Sequence, residues 1–194
     1  FIDAIVGGGG MLTIPALLSL GLPPHLTLGT NKLAATFASG TATYTFYKKQ
    51  LFSPYFWRQS FYSTLVGALT GTVFVNFINT QWLEKLLPVI ILAVALYTLF
   101  NRIADIDNHQ LPETNSALRI KQALQGFLLG FYDGSSGPGT GSFWMISTMR
   151  LYRLNILLAS GVAKSMNFTS NLVALLVFIG FGQINWLIGL TMGG

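Results

Sequence analysis

The sequence predicts an all-α protein: a polytopic transmembrane helix bundle built from two homologous repeats with broken helices. Three observations predict it. Only 9% of the 194 residues are charged while 52% are hydrophobic, whereas a soluble domain carries about 25% charged residues. The charges are also unevenly spaced. Segments 4–31, 59–83 and 165–194 contain none, and a helix needs about 20 apolar residues to cross a bilayer. Third, the two halves of the chain repeat one another. Eleven Lys and Arg with six Asp and Glu cannot coat a soluble globule, and a mean hydropathy of +0.57 agrees. A soluble enzyme, a disordered chain and a nucleic-acid-binding module are excluded on these grounds, so the expected surroundings are a lipid bilayer and no nucleic acid is expected as a partner.

The elements follow in order. The first apolar stretch, 1–20, is interrupted by Gly7-Gly8-Gly9-Gly10 and by Pro15, and a turn at Gly21-Leu22-Pro23-Pro24 closes it. A second stretch runs over about 33–47 and ends at Lys48, Lys49 and a polar loop reaching Arg58. The third covers about 59–78 and the fourth about 86–100. Residues 101–119, with Asp105, Asp107, His109, Glu113 and Arg119, have the composition of a solvated linker. A fifth stretch, about 123–149, is broken at Gly137-Pro138-Gly139. The sixth covers about 156–181, and a seventh begins at Ile184. All are expected to be helices, because lipid offers no partner to unpaired backbone groups outside a helix or closed barrel, and the alternation a barrel needs is absent. The expected division is a first repeat over 1–100, the linker over 101–119 and a second repeat over 120–194. Starting at Phe1 within an apolar pattern and stopping after Gly194, the chain reads as a fragment of a longer membrane protein.

The repeat rests on residues. Phe1-Ile2-Asp3-Ala4 matches Phe131-Tyr132-Asp133-Gly134 at an offset of 130, as Gly7 and Gly9 match Gly137 and Gly139. At an offset of 132, Lys32 falls on Lys164 and Phe46 on Phe178. Basic residues favour cytoplasmic loops. Lys48, Lys49 and Arg58, then Arg150 and Arg153, reach the same side only if the 123–149 region turns back as a broken hairpin. The charges therefore lean toward inverted repeats.

Glycine-flanked breaks in matching positions of two repeats are a sequence pointer to a transporter binding site. A break frees backbone groups at membrane depth, and the N-terminus of a half-helix favours an anion. Gly8, Gly9 and Gly10, and Gly137, Gly139 and Gly141, are the candidates, with close helix packing as the alternative. For the GxxxG spacings at Gly67/Gly71 and Gly126/Gly130, packing is the first reading. Ionisable residues within lipid are functional candidates by default. Lys32 and Lys164, expected at the starts of their helices, suit an anionic substrate. Asp3 and Asp133, beside the breaks, could pair with a lysine or take up a proton. Snorkelling lysines and capping aspartates are the plainer alternative. Thr30 and Asn31 precede Lys32, while Lys164, Asn167 and Asn171 share a helical face; they line a hydrophilic cavity or bond between helices.

Enzymatic readings lack parts. Gly134-Ser135-Ser136-Gly137 has the GxSG form of an intramembrane serine protease, but no histidine follows His109 to act as base. The Gly137–Ser142 run lacks the Gly-Lys-Ser/Thr ending of a phosphate-binding loop. There is no cysteine, His25 and His109 stand alone, and no metal or other cofactor is expected.

The run Phe1-Ile2-Asp3-Ala4-Ile5-Val6-Gly7-Gly8-Gly9-Gly10-Met11-Leu12-Thr13-Ile14-Pro15-Ala16-Leu17, followed by Gly29-Thr30-Asn31-Lys32-Leu33, resembles the TauE/SafE family of sulfite exporter-like membrane permeases, also known by its DUF81 domain. Gly130–Gly134, Gly137-Pro138, Gly141-Ser142-Phe143 and Ala163-Lys164 with Asn167 and Ser170-Asn171 resemble its second repeat. The resemblance implies about eight helices, of which seven stretches are seen. It implies a multi-pass protein of the bacterial inner membrane that moves small sulfur-containing or organic anions. It assigns no catalytic residue. The resulting expectation is a secondary transporter, not an enzyme, with a small anion as substrate and a proton or sodium ion as coupling ion. A non-transporting membrane scaffold is the rival reading; it accounts for the hydrophobicity but not for matched charges and breaks.

Overall fold

The computed structural model describes residues 9–100, 106 and 108–193. The described residues form helices and no strand: α1 (Gly10–Ser19), α2 (Pro24–Lys48), α3 (Arg58–Asn76), α4 (Thr80–Phe100), α5 (Ser116–Ser135), α6 (Thr140–Tyr152), α7 (Ile156–Gly180) and α8 (Trp186–Gly193). Asp3, Gly7 and Gly8 lie outside the described residues.

Helix boundaries follow local chemistry. Pro24 opens α2 at a position where a missing N–H costs nothing. Asn115 and Asn155 cap α5 and α7 by accepting from the backbone N–H three residues on. α2 begins nine residues before the expected Leu33, because Gly29, Thr30 and Asn31 are buried inside the helix. Packing there overrides their weak helix propensity. In the expected linker, Ser116 already belongs to α5, and Asn108 is not merely solvated: its carbonyl accepts from the Asn155 backbone N–H at 2.9 Å.

Two helix pairs organise the bundle. α3 and α5 run parallel and almost backbone to backbone. A methyl built on Gly126 would lie 2.7 Å from the Ser60 carbonyl oxygen, and one on Gly130 2.7 Å from that of Thr64. Gly67 and Gly71 meet Phe127 and Phe131 in the same way. The GxxxG spacings are thus packing surfaces. α2 and α7 run antiparallel: Gly29 meets Phe178 and Gln183, Gly40 meets Phe168, and Phe46 meets Gly161.

α5 and α6 form the broken hairpin. Gln125, midway along α5, donates to Ser147 Oγ at 2.7 Å and accepts from Tyr152 Oη at 2.8 Å, near the end of α6. The chain turns between them at Ser136–Gly139, with Gly137 and Gly139 both at positive φ. This hairpin, with the ends of α2 and α7, gathers Lys48, Lys49, Arg58, Arg119, Lys121, Arg150 and Arg153 at one end of the bundle. The opposite end carries Glu84 and Lys85 near the start of α4.

The outer surface is apolar. α4 buries Leu83, Leu87 and Val94 but exposes Leu92 by 62% and Leu99 by 74%. Thr80–Phe100 and Ile156–Gly180 are each long and apolar enough to cross a membrane. An apolar face of this extent is unusual on a soluble monomer and suits a helical membrane protein.

Candidate functional site

Lys32 is the ninth residue of α2 counted from Pro24, and Lys164 the ninth of α7 counted from Ile156. Both therefore lie about 12 Å along helices of 25 residues, at 1.5 Å per residue. Neither stands at a helix start, as the sequence suggested. α2 extends further upstream than its hydrophobic pattern does, while α7 starts at Ile156 as expected and carries Lys164 two turns inside it. Since α2 and α7 are antiparallel, the two lysines approach the middle of the bundle from opposite ends.

Lys32 is 1% exposed and meets Asp133 of α5, not an acid of its own half of the chain: Lys32 Nζ lies 2.7 Å from Asp133 Oδ1. A second Nζ donor reaches Asn171 Oδ1 of α7 at 3.0 Å. Asp133 is held on both oxygens. Thr140, the first residue of α6, donates to Oδ1 at 3.1 Å, and Ser170 of α7 donates to Oδ2. The carboxylate thus sits at the N-terminus of a half-helix, where the dipole favours negative charge.

The shell continues outward. Asn171 Nδ2 donates to the Asn167 carbonyl oxygen at 2.7 Å and to Asn167 Oδ1 at 3.1 Å, so its amide is already committed on both sides. Thr13 of α1 donates to Asn31 Oδ1. Gly10, Asn31, Lys32, Asp133, Gly137 and Asn171, with Ala35 and Asn167, enclose a cavity of about 10 Å³. That is about the space one water needs. Gly137 shapes it: a methyl there would stand 2.7 Å from Lys32 Nζ and 2.8 Å from Asp133 Oδ1.

The structure therefore brings together Gly10, Asn31, Lys32, Asp133, Gly137, Asn167 and Asn171. It turns other candidates to different tasks. Thr30 accepts from the Asn185 backbone N–H at 2.9 Å, fastening the start of α8. Gly139 abuts Met11 and Val94, and Gly141 is buried within the first turn of α6. Gly9 precedes α1, and its carbonyl oxygen accepts from Thr13 Oγ1 at 3.0 Å. Lys164 is buried on α7 but does not line the cavity. Asp3 and Gly8 lie outside the described residues. Sequence reasoning did not give Thr13, Thr140 or Ser170 a role. The available signal was position: Thr140 ends the Gly-Pro-Gly break, and Ser170 lies one turn from Asn167. Among the described residues, no group of His, Asp and Glu could hold a metal ion.

The chain matches the family described as "Sulfite exporter TauE/SafE" over residues 1–194. It is 41% identical to a "Probable membrane transporter protein" of Haemophilus influenzae, over 99% of this chain and 74% of that protein. It is 39% identical to "Probable membrane transporter protein ORF9" of a Sinorhizobium species, over 100% of this chain and 73% of that protein. Identity to "Probable membrane transporter protein YfcA" of Escherichia coli K12 is 35%, covering 99% of the chain and 70% of the relative. No solved structure gives a significant match.

Proposed function

The chain belongs to the sulfite exporter TauE/SafE family, and from that premise we propose that this membrane transporter carries small anions, sulfite and sulfonates among them, with Lys32 as the residue that binds the anion's charge. The observation that carries the reading is the buried Lys32–Asp133 pair against the Gly137 break. Buried ion pairs often contribute little or nothing to stability against apolar replacements, so a pair set beside a glycine break, in a polar cavity, suits a ligand site. An ammonium has three donors, and Asp133 and Asn171 use two. Among the described residues no further acceptor meets Nζ, which leaves its third N–H to an anion oxygen.

The cavity as it stands admits about one water, too little for a sulfite or a sulfonate. Transport requires the helices around Lys32 to part, first toward one end and then toward the other. The antiparallel course of α2 and α7, with a lysine at the ninth position of each, supports two repeats of opposite orientation. In that arrangement, rocking of one repeat against the other gives alternating access around a fixed site. The basic end of the bundle faces the cytoplasm by the positive-inside rule, in a multi-pass protein of the bacterial inner membrane. An ion gradient supplies the energy.

Proteoliposomes holding the full-length protein provide the test. Labelled sulfite or a labelled sulfonate is expected to enter, and Lys32→Ala to abolish entry while the protein remains folded. Unchanged flux in Lys32→Ala would remove the site. No flux with any anion would leave the scaffold reading.

A further inference from the structure

We propose that Asp133 is the proton carrier of this site: it takes up a proton when an anion replaces it on Lys32, so that anion and proton cross the membrane together. The proposal rests on the reading of Lys32 as the anion site and adds what couples that site to a gradient.

Lys32 and Asp133, with side chains only 1% and 2% exposed, sum to zero beside a cavity of about 10 Å³. A monovalent anion entering beside them would leave one uncompensated negative charge, and each unpaired buried ion costs several kcal/mol. A proton on Asp133 removes that charge. Lys32 then pairs with the anion, and the site returns to neutrality with a carboxylic acid beside it.

Both hydroxyls that hold Asp133 have another acceptor within reach. Ser170 Oγ, which donates to Asp133 Oδ2, also lies 3.0 Å from the Met166 carbonyl oxygen and 3.1 Å from that of Asn167. Thr140 Oγ1, which donates to Oδ1, lies 2.8 Å from the Gly137 carbonyl oxygen. A hydroxyl is one donor with two acceptor sites. When Asp133 becomes protonated, either hydroxyl can turn its hydrogen to the main chain and accept the new acid proton. No heavy atom has to move, and no polar group is left unpaired. A fixed N–H donor at either place would oppose protonation.

Among the described residues, other titratable groups do not compete for this task. Lys32, from α2, is the charged side chain within reach of Asp133 among the described residues. From α6 and α7 the carboxylate meets Thr140 and Ser170, and where α3 packs against Gly134 it presents Ala68 and Thr72. Tyr132, next in sequence, donates instead to the Pro138 carbonyl oxygen at 2.7 Å. Lys164 lies on α7 nearly two turns before Ser170, outside the cavity.

The test uses methanesulfonate, an anion that carries no exchangeable proton of its own, with the full-length protein in liposomes loaded with a pH-sensitive dye. An inward methanesulfonate gradient is expected to acidify the lumen, with one proton per anion, and an imposed potassium diffusion potential should leave the rate unchanged. In Asp133→Asn the acidification is expected to vanish, and whatever anion flux remains becomes sensitive to voltage. If that variant fails to fold, the wild-type proton-to-anion ratio decides alone. Methanesulfonate entry without acidification and driven by voltage would overturn the proposal. Sulfite entry, followed in parallel, would leave the transport reading standing in that case. No flux of either anion would remove both.

Discussion

Lys32 and Asp133 are 101 residues apart in sequence, sit on α2 and α5, and meet at 2.7 Å with side chains 1% and 2% exposed. The contact joins the first half of the chain to the second, so it is part of the fold as well as of the candidate site. Removing one partner of a buried pair strands the other charge and costs about 3–5 kcal/mol, while replacing both by apolar residues is often neutral. Asp133→Ala is therefore expected to lower the melting temperature in detergent clearly. The double variant Lys32→Met with Asp133→Leu should recover most of that loss and still transport nothing. A double variant as unstable as the single one would show that the pair is needed for folding itself.

The α3–α5 seam makes a separate prediction about stability. Methyls at Gly126 or Gly130 would meet main-chain oxygens at 2.7 Å, and a backbone atom cannot swing aside as a side chain can. Gly126→Ala and Gly130→Ala should each destabilise by about 1–3 kcal/mol, the usual range for overpacking. At Gly180, the last residue of α7, nothing lies within 4 Å of the place a methyl would take. Gly180→Ala is the control, and its melting temperature should stay level or rise slightly.

Much of this arrangement was legible in the sequence, for identifiable reasons. Spans follow from gaps between charges, because lipid excludes charge regardless of tertiary detail; hence α3 at 58–76 lies close to the expected 59–78. The hairpin of α5 and α6 followed from two basic clusters needing one side. What periodicity could not supply was partner choice. Lys32 and Asp3 lie beside the first break, yet Lys32 pairs with Asp133, because antiparallel packing of α2 on α7 carries it to the second break. Thr30 looked like a cavity residue beside Asn31, but successive helical residues point about 100° apart, and Thr30 turns to Asn185. Ser170 could not be singled out until α5 was placed against α7.

Membrane orientation is open to a direct chemical check. The 194-residue chain contains no cysteine, so single cysteines introduced within it report without competition from this segment. Gln50→Cys, in the loop after α2, lies at the basic end, and Gln81→Cys lies at the start of α4 at the other. A membrane-impermeant maleimide applied to intact cells should label Gln81→Cys after the outer membrane is permeabilised. It should label Gln50→Cys only after the inner membrane is broken. The reverse pattern would invert the topology, and equal labelling would mean that the two ends are not on opposite sides.

Gly137 allows the site's geometry to be separated from backbone strain. Its φ is +89°, a left-handed conformation that costs a residue with a Cβ roughly 1–2 kcal/mol. Its added methyl would also crowd Lys32 Nζ and Asp133 Oδ1 at 2.7 and 2.8 Å. Gly182 shares the first property without the second: its φ is +67°, and nothing lies within 4 Å of its Cβ position. Gly137→Ala and Gly182→Ala should therefore lose similar stability from strain, with the former losing more from crowding. Only Gly137→Ala should abolish anion flux per folded molecule, because its methyl occupies the cavity and keeps any anion from Lys32. Flux is the decisive reading. If Gly137→Ala transports as well as Gly182→Ala, the cavity beside Lys32 is not on the substrate's path.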